Sequence, residues 1–134
     1  MITPRDILSS ASAIYDNVKS KNYTKSELEL KHRNCARMAY YSILHLSKDL
    51  INESCVNIDT SGISGTHEIV IRKLLAINSD LSNSLAQDLI SCRVIRVKAD
   101  YYLHKNFSAN DAYKVLRKAE KAFNLFEEKF STGT

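Results

Sequence analysis

Arginines, histidines and an aspartate recur on two segments that otherwise read as core-forming helices. In Arg33 to Leu50, the residues Arg37, Tyr41 and His45 are spaced four apart, which keeps them on one broad side of a helix. In Cys92 to His104, Arg93, Arg96, Asp100 and His104 follow three- and four-residue steps. Metal-independent cleavage of an RNA phosphodiester needs a base for the ribose 2′-hydroxyl, an acid for the leaving oxygen, and cations for the charge on phosphorus. His45 and His104 are the acid–base candidates. Arg93 and Arg96 are candidates to hold phosphate, with Arg37 and Tyr41 beside them, and Asp100 is placed to orient an arginine.

Arg96 falls inside an apolar arc formed by Leu85, Leu89, Cys92, Ala99 and Leu103. An unpaired charge buried there costs several kcal/mol, so Arg96 needs a partner, and Asp100 lies one turn away. Two readings follow. The pair is a buried tie that fixes helix packing, or Asp100 holds Arg96 at the mouth of a cleft where a phosphate reaches it. His45 also reads as an ordinary histidine on a helix surface. His104 would favour the end of its helix when protonated. His67 reads as a capping or loop-packing residue and His32 as a satisfied packing residue. No His, Asp or Glu cluster has metal-ligand spacing, so no metal is expected, and no cofactor is expected.

The elements that must position these groups are long helices. Thr3 as N-cap, Pro4 and Asp6 open the first, and a polar connection from Ser20 to Tyr23 ends it. Thr24 and Glu27 form a capping box for a second helix reaching about Asn52. Glu53 to Gly65, with the run NIDTSGISG, is the clearest loop. A third helix spans Thr66 to about Ile77 and a fourth Leu81 to about Lys105. Ser108 and Asp111 cap a fifth, whose Ala112, Val115, Leu116, Ala119, Phe123, Phe126 and Phe130 make a regular apolar stripe. The tail from Ser131 reads as frayed. The predicted fold is an all-α antiparallel bundle of about five helices, with one domain over residues 1 to 134.

Composition fits this. A chain of 134 residues buries roughly 70% of its unfolded surface, enough for a core without staples. One proline and three glycines are too few for a many-stranded protein. The net charge of +4 and pI near 9.0 suit an anionic partner, nucleic acid first among them, or simply a solvated basic surface. Three cysteines without close spacing suggest neither a disulfide framework nor a metal site. The first 20 residues carry charges and no continuous apolar run, and no segment is long enough to span a bilayer. A cytoplasmic protein without a membrane partner is expected.

The segments Arg37-Met-Ala-Tyr-Tyr-Ser, continuing to His45, and Arg96-Val-Lys-Ala-Asp-Tyr resemble the signatures of the HEPN family, in particular its small stand-alone prokaryotic members. The resemblance spans residues 24 to 130. It implies an all-α HEPN-like bundle acting in a toxin–antitoxin or defence setting. The implied activity is metal-independent RNA cleavage by paired arginine and histidine across a dimer. HEPN ribonucleases carry four to six residues between that arginine and histidine, whereas Arg37 to His45 and Arg96 to His104 each enclose seven. The alternative is a non-catalytic HEPN-like binding module that partners a nucleotidyltransferase, a cognate antitoxin or another effector.

The fourth helix carries a second apolar stripe of Ile90, Val94, Val97 and Tyr101, roughly opposite the first. An ordinary surface helix needs only one. Either other helices of the same chain cover both faces, or this stripe is the seam of a homodimer.

Overall fold

The computed structural model describes residues 1–19 and 22–132, so part of the expected Ser20 to Tyr23 connection and the last two residues of the tail lie outside the described residues. Among the described residues the fold is an all-α bundle of five helices. These are α1 (Pro4–Asn17), α2 (Lys25–Ser54), α3 (Thr66–Ile77), α4 (Asp80–Tyr101) and α5 (Ala109–Thr132).

Capping chemistry sets most of the helix starts. The side-chain oxygens of Thr3, Thr24 and Ser79 accept from the amides of Asp6, Glu27 and Ser82, and each third residue answers back to the cap amide. Ser108 and Asp111 exchange the same two bonds at 3.1 and 3.0 Å ahead of α5. Cys55 and Asn78, at φ 56° and 54°, turn the chain left-handed after α2 and α3. Such turns end helices by redirecting the backbone.

Helix α2 is the hub, packing on all four of the others, while α3 touches only α2 and α4 among the described residues. Side-chain pairs give the directions. Arg5, early in α1, pairs with Glu127, late in α5. Lys98, late in α4, reaches Asp111, early in α5, at 3.1 Å. Arg37, in the first half of α2, meets Asp100 near the end of α4. Thus α4 runs antiparallel to both α2 and α5. The core between them holds Tyr40, Ile43, Leu85, Leu89, Cys92, Val115 and Phe123. Burial drives this assembly at about 25 cal/mol per Å² of apolar surface.

Helix α4 stops at Tyr101, one turn short of the sequence expectation, because the chain bends there and α2 takes over its loose carbonyls. Tyr102 leaves the helical region at φ −105° and ψ 64°. Arg33, only 3% exposed, donates through Nη1 to the carbonyls of Lys98 and Ala99, both at 3.0 Å. Its Nη2 donates to the carbonyls of Tyr102 at 3.2 Å and Lys105 at 2.5 Å. The guanidinium also lies 5.3 Å from the centre of the Phe107 ring. One turn earlier on α2, Glu29 accepts the Phe107 amide at 2.7 Å, and it sits 3.5 Å from Arg33. Helix termini leave carbonyls unpaired; here Arg33 pairs those of Ala99 and Lys105 and adds a second bond to those of Lys98 and Tyr102, which also accept the Tyr102 and Lys105 amides.

His32 is buried against Tyr15 of α1, with ring centres 6.2 Å apart, but it is not the satisfied residue expected from sequence. Its Nδ1 has no hydrogen-bond partner among the described residues. Burial holds its pKa below the usual histidine value, so it packs as a neutral ring. Cys35 and Cys92 are buried hydrophobes whose thiols burial pushes up to about 12 and about 11.

Replacing Arg33 by Met should cost about 3 kcal/mol or more, since buried acceptors are left unpaired. Arg33→Lys should recover little, because an ammonium cannot fork to four acceptors. Urea unfolding of both variants measures this. A loss below about 1 kcal/mol for Arg33→Met would show that solvent replaces the guanidinium at those carbonyls.

Candidate functional site

The polar edges of α2 and α4 meet. Because the helices run in opposite directions, Arg37 and Tyr40 of α2 come level with Arg96 and Asp100 of α4. Asp100 is the junction. Its Oδ1 accepts from Arg37 Nε, and its Oδ2 accepts from Arg96 Nη1 at 3.0 Å. The side chains of Arg96 and Asp100 are 8% and 14% exposed, whereas Arg37 is 37% exposed. Arg37 also donates to Asn34 Oδ1 at 2.8 Å. One carboxylate therefore serves two guanidinium groups.

The remaining face of Arg96 is turned to a ring and an imidazole. Its guanidinium lies 5.3 Å from the centre of the Tyr40 ring. Its Nη2 is 3.4 Å from His67 Nε2, and His67 Nδ1 is 2.6 Å from the Tyr40 hydroxyl. A guanidinium only donates, so its contact makes Nε2 the acceptor and leaves the imidazole proton on Nδ1, donating to the Tyr40 oxygen. Burial and the charges of Arg96, Arg93 and Lys48 hold His67 below the usual histidine pKa. Burial raises the Tyr40 phenol to about 12. Burial works against the charge on Arg96, but the Asp100 bond together with the charge of Asp100 and the neighbouring Tyr41 and Tyr40 outweighs it, and its pKa is raised. The Arg96 Nε is buried without a hydrogen-bond partner among the described residues.

The other sequence candidates are distributed around this centre. Arg93 is exposed and Tyr41 is half-buried, its ring edge-on to Tyr40 with centres 5.9 Å apart. His45 is exposed on α2 and lines a groove with Ile2, Pro4, Ile7 and Asp49, on the α1 side. His104 is exposed in the turn after α4, its ring perpendicular to that of Tyr102 at 6.2 Å. The early end of α4 carries His104 off the helix. Within one chain, then, Arg37, Arg96 and Asp100 converge, and neither His45 nor His104 bonds to them.

The histidine that does join the arginines is His67. Sequence reading missed it because nothing local links the first turn of α3 to Tyr40 and Arg96; the contact exists only after three helices pack. Arg33 left a clearer trace, the four-residue spacing of Glu29, Arg33 and Arg37.

Among the described residues, no other helix covers the Ile90, Val94, Val97 and Tyr101 stripe. Val94 and Tyr101 are 71% and 70% exposed. Ile90, Val94 and Val97 line an open groove of about 500 Å³ with Ile71 and Tyr102, flanked by Arg93 and Glu68. Among the described residues no group of three or more His, Cys, Asp or Glu gathers as metal ligands, and no helix is long and apolar enough to cross a membrane.

Chemically, the centre is a tie of two guanidinium groups on one carboxylate, with an exposed cationic rim. Asp100 is fully engaged and has no lone role as a base. Arg93 and the outer part of Arg37 remain open to an anion, beside a neutral imidazole.

Asp100→Asn should destabilise by about 3–5 kcal/mol, since it leaves Arg96 buried opposite Arg37 with no carboxylate. Arg37→Met should cost about 1 kcal/mol or less, because that side chain is partly solvated. Chemical unfolding at neutral pH separates them. Losses below about 0.5 kcal/mol for both Asp100→Asn and Arg96→Met would place the pair in solvent.

The chain matches no protein-family model, and no curated protein or solved structure matches it significantly.

Proposed function

We propose that this chain is a non-catalytic HEPN-like binding module of a prokaryotic toxin–antitoxin or defence system, acting as a homodimer that engages a cognate protein such as a nucleotidyltransferase or another effector. The observation that carries this reading is the saturation of the centre. Asp100 holds both Arg37 and Arg96, and the two histidines with the family-like placement, His45 and His104, stand exposed in separate surroundings. Groups that hold one another in this way fix helix positions; they do not supply proton transfer. The Arg37-Met-Ala-Tyr-Tyr and Arg96-Val-Lys-Ala-Asp-Tyr segments support the family reading, since they place the tie on the same two helices that the resemblance names.

The uncovered α4 stripe supports the dimer. Exposed Val94 and Tyr101 flanking half-buried Val97 form a contiguous apolar face, which on soluble proteins marks an interaction surface more often than an accident. Arg93 and Glu68 flank the groove with opposite charges, so two copies related by a two-fold axis present complementary rims. Wild-type protein should sediment as a dimer at micromolar concentration, and Val94→Glu should sediment as a monomer. A monomeric wild type removes the dimer from the proposal.

A second reading, a metal-independent endoribonuclease, draws on one observation. His67 is a neutral imidazole against Arg96 with Arg93 nearby, so a proton acceptor and phosphate-binding cations lie together. Purified protein incubated with varied RNAs in EDTA decides between the two. The binding module leaves every RNA intact. The ribonuclease yields 2′,3′-cyclic phosphate ends, and activity falls by at least about 100-fold when its acting histidine, His67, His45 or His104, is changed to Ala.

A further inference from the structure

We propose that His67 is an acid-released latch that holds the first turn of α3 onto α2 and α4. The geometry is a single imidazole bonded on both sides. On one side stands the hydroxyl of Tyr40 from α2, 2.6 Å away, and on the other the guanidinium of Arg96 from α4, 3.4 Å away. The Arg96 contact needs an unprotonated Nε2. A second proton there replaces an acceptor with a donor and sets two cations face to face.

The surroundings offer that extra charge no relief. From α2, Tyr40 and Lys48 act on the imidazole, with Tyr41 beside Tyr40; from α4, Arg93 and Arg96 do. The nearby carboxylates are engaged: Asp100 with Arg37 and Arg96, and Glu68 with Arg72 at 3.0 Å. His67 therefore titrates below the usual value of about 6.5 while the latch is closed and near it once open. The open form binds more protons, so closure is fully favoured above about pH 6.5 and weakens as pH falls below it.

The rest of the element is built to let its start move. Helix α3 packs only on α2 and α4 among the described residues, so it shifts without unpacking α1 or α5. The loop ahead of it turns at Gly62 and Gly65, at φ 80° and 91°, where a side chain would be strained. Gly65 supplies no side-chain cap to the helix. Val70, Ile71 and Leu74 are buried and keep the later turns docked. Opening thus frees the outer face of Arg96 and adds a positive charge beside Arg93. The latch stands independently of the functional reading above.

Hydrogen–deuterium exchange between pH 7.5 and about 5, corrected for the intrinsic pH dependence of exchange, tests this alongside NMR titration of the His67 ring. Amides of Val70, Ile71 and Arg72 should lose at least about 10-fold protection relative to Val115 to Ala119 of α5, with a midpoint matching that of the imidazole. His67→Gln should remove the pH dependence. His32 also resists protonation, but it packs against α1, so its titration loosens a different contact. The latch is overturned by α3 protection that persists after His67 has titrated, or by an unchanged pH response in His67→Gln. An imidazole that stays neutral to about pH 4.5 overturns it as well. Should the Gln variant not fold, the two wild-type midpoints decide: coincidence supports the latch, and separation rejects it.

Discussion

The last turn of α4 and the bend that follows it present four backbone carbonyls to α2, and the side chain of Arg33 donates to all four, two of which, Lys98 and Tyr102, also accept a backbone amide. A planar guanidinium suits this task because its donors fan out in a fixed plane, and its charge strengthens each bond. The interaction sets the level of α4 against α2, and that level brings Asp100 beside Arg37 one turn further along α2. Glu29, one turn back, fixes the entry to α5 through the Phe107 amide. Three successive charged positions on α2 thus determine where the last two helices lie.

Upon that frame rests an uneven ratio of charges. Arg37 and Arg96 share Asp100, and no other carboxylate bonds to either guanidinium among the described residues. A buried ion pair contributes little net stability against an apolar alternative, yet losing one member is expensive. Such a tie specifies arrangement more than it adds strength. It also gives the neutral imidazole a structural reason: with the only carboxylate shared, the remaining side of Arg96 is met by a neutral acceptor and a ring face.

How much of this could be read from residue order depends on how local the cause is. The helices and the caps at Thr3, Thr24 and Ser108 were legible because caps act across three residues, whereas Ser79 pairs with a serine in place of the Glu or Gln that marks a capping box. The apolar stripe of α5 was legible through its period, and the Arg96–Asp100 pair through its one-turn spacing. The end of α4 was not, since the groups that stop it sit on α2, more than 60 residues away. For the same reason, His104 was expected on a helix it does not join. Asp100's second partner and the position of His67 also arise from packing between helices, which no local pattern records. The second face of α4 was visible as a pattern, and the structure adds that no helix among the described residues lies over it.

The separation between Arg33 and its acceptors bears on how the chain is made. Glu29 meets a partner 78 residues later, and Arg33 meets acceptors 65 to 72 residues later. At about 5–20 residues per second of synthesis, roughly 4–15 seconds pass between the appearance of α2 and that of the segment it must grip. During that interval the nascent α1–α2 pair carries apolar faces and charges without their final neighbours. The bundle closes only after α4 and the entry to α5 have been made, so α2 spends that interval with its future core faces uncovered before it becomes the hub of the fold.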